Sequence, residues 1–181
     1  MNNYKKSELI ARSREWDGKT QALREHLLES AQWSKKFAEK IGLSEIGELL
    51  GLLHDFGKAS DEFQGYIRSK QQVIKPGEEG YIDAKRGEVD HSTAGAQLAY
   101  AKLSNMGKEG KILAQYISLV IASHHTGLID CIKPNGENEF DRRISKSDHD
   151  THLLEVRTKM EDIEKQVEGL ISEKLTKVFI K

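Results

Sequence analysis

The 181-residue chain is sized for one domain with one sizeable core and is too short for two comfortable ones. Lys plus Arg number 28 against 29 Asp plus Glu, and a net charge of -1 excludes a protein that holds nucleic acid by a generalised basic surface, so any polyanion has to be gripped locally. The single cysteine, Cys131, excludes an intramolecular disulfide; no N-terminal run reads as a signal peptide and no apolar stretch approaches the roughly 18 residues of a bilayer span, so a soluble, cytoplasmic protein with no membrane partner is expected.

The first predicted helix starts at Leu23, where Leu27, Ala31, Phe37, Ala38 and Ile41 follow helical spacing, His26 lies beside that stripe, and Gly42 is a natural stop. Ser44 is placed to cap a second helix carrying Ile46, Leu49, Leu50 and Leu53, with His54 four residues past Leu50 and Gly57 placed to end it. The dipeptide His54-Asp55 therefore falls at a helix C-terminus. Asp90 caps a third helix with Ala94, Leu98 and Ala101 on one face and His91 in its first turn. A fourth runs from about Ile112 through Leu113, Tyr116, Ile117, Val120 and Ile121 to His124 and His125, which again sit at a helix C-terminus before Gly127.

From about Ser147, the steps Leu153, Val156, Met160, Ile163, Val167 and Leu170 predict one amphipathic helix of several turns, whose plain role is core packing. No segment reads as a strand. Both prolines fall in two long polar segments, Arg68 to Val89 and Cys131 to Lys146, read as loops. The expected fold is thus all-α: a helical bundle with two long polar loops.

A lone histidine near an apolar face is usually a hydrogen-bonded structural residue. Here His26, His54, Asp55, His91, His124 and His125 stand at or beside the apolar edges of four helices, and two helix ends carry adjacent ligand-type pairs. Burying so many imidazoles and a carboxylate together without partners is costly, and a divalent first-row metal, for which these side chains are the natural donors, resolves the conflict. The partial negative charge of two helix C-termini also favours a nearby cation. Adjacent helix side chains diverge by about 100°, so each dipeptide suits a cluster wider than one ion, and the two oxygens of Asp55 can bridge. Two-metal sites, with ions about 3.5 to 4 Å apart, activate a water and neutralise charge on a phosphate.

His26, then His54 and Asp55 followed by Gly57 and Lys58, His91 within HSTAGA, and His124 and His125 within SHHTG resemble the HD superfamily of metal-dependent phosphohydrolases. The paired histidines and the following GLIDCIKPNG make the chain similar, over about Lys19 to Leu154, to the HD nuclease domain of the CRISPR-associated helicase-nuclease of type I systems. The resemblance implies an HD-domain helical bundle. It also implies that His26, His54 and Asp55 hold one metal, with Asp55 also touching a second held by His91, His124 and His125. Lys58 would approach a phosphate oxygen or the attacking water; its plain alternative is a solvated lysine compensating a helix C-terminus. Ser92 and Thr126 adjoin these positions, where capping and turn roles account for them.

What the resemblance implies about partners is single-stranded DNA, a helicase module in cis or in trans, and a CRISPR RNA-guided surveillance complex. No phosphate-binding Gly-rich loop of a motor is present in the sequence. The donor set suits Mn, Fe, Co, Ni or Zn, as one or two ions. Two other readings stay open at this point: an HD-type nucleotide phosphohydrolase, and a non-catalytic helical interaction module. Family members resemble one another in a further aspartate on a late helix. Asp130, Asp141, Asp148, Asp150 and Asp162 follow His125, but none has that apolar helical setting, so residues 1–181 are expected to be the N-terminal part of a longer protein lacking the final helix.

Overall fold

The computed structural model describes residues 8–14, 17–85, 87–125 and 127–179. Thr126 lies outside them. Helices dominate, as the all-α reading expects. In chain order they are α1 (Leu23–Glu39), α2 (Ser44–Leu53), a 3₁₀ turn (Phe56–Ala59), α3 (Asp61–Lys70), α4 (Ser92–Ser104), α5 (Gly107–Ser123), α6 (Glu139–Ile144), α7 (Asp148–Thr151), α8 (Leu153–Lys159), α9 (Glu161–Leu170), a π-helical turn (Ile171–Leu175) and α10 (Thr176–Phe179).

Helices α1 and α2 pack as one antiparallel pair, α4 and α5 as another, and the apolar stripes of both close on a core that includes Leu23, Leu27, Leu53, Phe56, Leu98 and Ile121. Burying each such side chain contributes on the order of 1.5 to 3 kcal/mol. Two glycines set how closely the pairs approach. A Cβ on Gly51 of α2 would stand 2.4 Å from the Ala31 Cα of α1, and one on Gly95 of α4 would stand 2.0 Å from the Leu53 carbonyl. The end of α2, where the HD pair sits, is thereby held against the backbones of both α1 and α4.

Several expectations need correction. Two strands are present, β1 (Ile10–Ser13) and β2 (Thr20–Ala22), an antiparallel hairpin that leads directly into α1. At four and three residues they are too short to show alternation. Helix α2 stops at Leu53, ahead of Gly57, which lies inside the 3₁₀ turn. Ser44 is the first residue of α2 rather than its side-chain cap. On α1, Phe37 and Ile41 are exposed, as are Tyr116 and Val120 on α5, so the stripes are wider than the buried faces.

The segment read as a second loop contains α6, which buries Phe140, and Asn138 caps it by accepting from the Asp141 N–H. The first polar segment begins as the last turn of α3 and continues irregularly to Val89, whose side chain packs with Phe63 and Ile67 in a small satellite cluster. The tail is not one helix. His152 adopts φ 53°, and the Asp148 carboxylate accepts from the Leu154 N–H, so α7 and α8 are separate; a second break falls at Met160. The expected apolar residues Val156, Met160, Ile163, Val167 and Leu170 are nonetheless buried in the main core.

Candidate metal centre

The ends of α2 and α5 are built alike. The last carbonyls of a helix lack intrahelical donors. His54 Nδ1 donates to Gly51 O at 2.9 Å, and His124 Nδ1 donates to Ile121 O at 2.7 Å. Each imidazole thus caps its own helix three residues back, which fixes the proton on Nδ1 and leaves Nε2 bare. His91, at the start of α4, is fixed in the same tautomer by donating from Nδ1 to Val89 O at 3.1 Å. A backbone-held imidazole with a free Nε2 is the form that ligates a metal.

Asp55 lies where these nitrogens meet, with 3% of its surface exposed. Its two oxygens divide the site. Oδ2 is 2.8 Å from His26 Nε2, 3.2 Å from His54 Nε2 and 2.8 Å from Lys58 Nζ. Oδ1 is 3.5 Å from His91 Nε2, 3.4 Å from His124 Nε2 and 3.8 Å from His125 Nε2. Two ligand groups follow among the described residues: His26, His54 and Asp55 on one side, and Asp55, His91, His124 and His125 on the other. All six candidate ligands are therefore brought together, along with Lys58. None of Asp130, Asp141, Asp148, Asp150 and Asp162 joins either group.

Burial alone would raise the Asp55 carboxyl, but its contacts with His124, His26 and His54 hold it far below the usual carboxylate range. Burial pushes His91 down to about 4, outweighing the pull of Asp55, and lowers His125 as well. The centre thus sets an ionised carboxylate beside two imidazoles, His91 and His125, that burial holds toward their neutral form. The donor set fits a divalent metal on geometric grounds too: His26 and His54 face each other Nε2 to Nε2 at 3.1 Å, and His91 and His125 at 2.6 Å. Where Nδ1 holds the proton, a facing Nε2 is a lone pair, and lone pairs gathered around one carboxylate call for a cation.

Lys58 is not a solvated lysine. Its side chain is 12% exposed, and besides Asp55 it reaches Ala11 O at 3.3 Å. The hairpin strand β1 is what supplies that carbonyl. Gln64 ties the same strand to the 3₁₀ turn, accepting from Ile10 N and donating to Ile10 O and Lys58 O. Asp90 caps α4 through Ser92 N and Thr93 N and is bound by Lys146 Nζ at 2.6 Å. Ser92 keeps a capping role, its hydroxyl accepting from Arg143 Nη1 and bonding Asp90. Arg143 and Lys146 thus steady the segment that carries His91. Both lie in a segment whose polarity reads as loop, and the sequence carries no signal that they meet Asp90.

A cleft of about 590 Å³ opens from this centre along α1. Its walls include His26, His54 and His124 at one end and Trp33 and Phe37 at the other. No helix among the described residues is long and apolar enough to cross a membrane.

Comparison with known proteins adds one finding to this geometry. The family described as "Cas3, HD domain" matches residues 13–177, from the last residue of β1 into α10. Neither curated proteins nor solved structures yield a match. With the match running over nearly its whole length and the HD and HH pairs meeting at one carboxylate, this chain belongs to the Cas3 HD-domain family, metal-dependent hydrolases of CRISPR systems that act on DNA.

Proposed function

We propose that the chain hydrolyses phosphodiester bonds of single-stranded DNA in CRISPR antiviral defence, with His26, His54 and Asp55 holding one divalent metal and Asp55, His91, His124 and His125 a second. The observation that carries this is the division of the Asp55 oxygens between two histidine groups. When bound, such metals supply a Lewis acid at the phosphate and a water acidic enough to attack it at neutral pH. The rest of the chemistry belongs to the chain. Asp55 stays ionised and orients the surrounding imidazoles by accepting their N–H bonds where they carry one. The backbone carbonyls of Gly51, Val89 and Ile121 keep three histidines in the Nε2-bare tautomer.

Lys58 Nζ, already at the Asp55 carboxylate, holds a proton where it can be donated as a hydrogen bond to a non-bridging phosphate oxygen. A carbonyl on β1 limits where that ammonium can swing. The ion is one of Mn, Fe, Co, Ni or Zn, since imidazole and carboxylate donors suit each of these. A nearly neutral domain of this kind works on strands delivered to it, so a helicase module in cis or in trans and a CRISPR RNA-guided surveillance complex are the partners, in the cytoplasm.

The deciding experiment compares hydrolysis of a single-stranded oligonucleotide, the matching duplex and free nucleotides under one metal. Cutting of the single strand, with duplex poor and nucleotides inert, is expected. Faster release of phosphate from free nucleotides overturns the nuclease reading in favour of a nucleotide phosphohydrolase.

A further inference from the structure

The cleft that begins at His26 and His54 ends at two aromatic side chains that the core does not use. Trp33 and Phe37 are 57% and 59% exposed, although they follow Leu27 and Ala31 on the same helix. Four residues apart on α1, their rings stack on one another, with centroids 5.9 Å apart and planes at 23°. Lys36 Nζ stands 5.3 Å from the Trp33 ring centre and Lys40 Nζ 5.7 Å from that of Phe37. Arg12 on β1 contributes a further cation to the cleft, and Val120 of α5 an apolar wall. One anion is present, Glu29, and Gln21 Nε2 donates to it at 2.8 Å.

Large exposed apolar surface is costly to leave in water, and when it lies in a cleft shared with a catalytic centre it marks a ligand. Exposed, near-parallel rings with ammonium groups over them match a single-stranded nucleic acid in both parts: bases stack on exposed aromatic rings, and phosphates are held by ammonium and guanidinium groups. The positions also fit. Along α1, Trp33 stands about 10 Å and Phe37 about 16 Å beyond His26, so a strand whose phosphate is at the metal centre passes the rings within its next few nucleotides. We propose that Trp33 and Phe37 form a base-stacking subsite for single-stranded DNA, flanked by Lys36, Lys40 and Arg12. The subsite deepens the DNA-cutting function proposed above and rests on it. Stacking is tolerant of sequence because every base has a π face, so the site grips without reading.

The test reads binding apart from cleavage. Trp16→Phe leaves Trp33 as the one tryptophan, and a chelator prevents cutting. Titration with a short oligothymidylate should quench Trp33 fluorescence to saturation. A chain of the same length with abasic sugars should not quench and should bind about tenfold more weakly. Trp33→Ala with Phe37→Ala should weaken oligothymidylate binding by about tenfold, leave the abasic chain unaffected, and be rescued by Trp33→Tyr. Both rings are exposed, so unchanged thermal unfolding is expected and checks folding.

Equal binding of the two chains overturns the subsite. So does an unquenched Trp33 whose emission shifts to the blue as the protein doubles in mass, since that outcome assigns the face to a second copy of the chain. The underlying function fails differently. It fails if oligothymidylate binds and quenches but is never cut once metal is restored, whereas the subsite fails if the strand is cut with no dependence of binding on bases.

Discussion

The backbone of Gly57 lies directly against that of His91: a Cβ at residue 57 would stand 2.3 Å from the His91 carbonyl oxygen and 3.0 Å from its Cα. Both contacts are with backbone, which cannot swing aside. The absence of a side chain at Gly57 therefore sets the distance between the turn that carries Asp55 and the residue that brings His91 to it.

Gly57→Ala is accordingly expected to do two things at once. Overpacking at a contact of this kind costs about 1 to 3 kcal/mol. The enforced shift should also draw His91 Nε2 away from Asp55 Oδ1, now 3.5 Å apart. Thermal unfolding should show a lowered midpoint, and calorimetric titration with Mn should show weakened uptake. Unchanged metal affinity would mean that the two segments move together and that the glycine serves packing alone.

Much of the site was legible because its chemistry collides with its surroundings. His54 and His124 follow apolar runs at helix ends, where a buried polar ring needs a reason, and a carboxylate beside one of them suggested a shared cation. Helix existence was legible for a related reason, since α1, α2, α4 and α5 bury continuous stripes. Periodicity reports which residues face a core, not whether the axis continues, and so Val156 to Leu170 read as one helix although the backbone breaks at His152 and Met160. Nor does it tell a wide stripe from a buried one. Phe37 scores as core by spacing yet is exposed in the cleft, and the support that β1 gives Lys58 through Ala11 O has no sequence signature.

Asp55→Ala should abolish hydrolysis and leave far-UV helical content largely intact, because the Asp55 carboxylate makes no helix-capping hydrogen bond. Elemental analysis of the purified variant should show reduced metal, since both ligand groups lose the same residue. His54→Ala should also abolish hydrolysis, and it frees the Gly51 carbonyl as well. Full activity in the Asp55 variant is the result that defeats the assignment.

Stability in acid should depend on the junction between tail and core. Glu164 of α9 accepts a two-pronged bond from Arg157 of α8, at 2.7 and 2.9 Å, and also pairs with Lys102 of α4 at 2.9 Å. The hydrogen bonds from Arg157 hold its carboxyl below the ordinary value of 4.5, against burial, with Lys102 adding to the effect. A depressed carboxylate contributes stability that is present above its unfolded value and lost as pH falls through the folded one. Glu164→Gln should therefore cost about 1.5 to 3 kcal/mol at neutral pH, with the deficit shrinking below about pH 4. Melting curves of both proteins across that range decide; a deficit that persists undiminished in acid points to packing rather than charge.

The two halves of the centre should not hold metal equally. Asp55, His91, His124 and His125 offer four donor residues, whereas His26, His54 and Asp55 offer three. Other carboxylates that follow His125 are engaged elsewhere among the described residues: Asp148 caps Leu154 N, Asp150 accepts from the Ser147 hydroxyl, Asp162 pairs with Arg24, and Asp141 is bound by Asn138. A three-ligand group leaves positions open to water and exchanges its ion more readily, and because ligands bind in competition with protons such a group also loses its ion first as pH falls. Stepwise chelation followed by elemental analysis should remove one ion before the other. His26→Ala should abolish the weaker uptake and spare the stronger, and His91→Ala the reverse. Two ions leaving together at the same chelator concentration, or a structure with metal bound through Asp148, Asp150 or Asp162, would show that the centre is evenly coordinated.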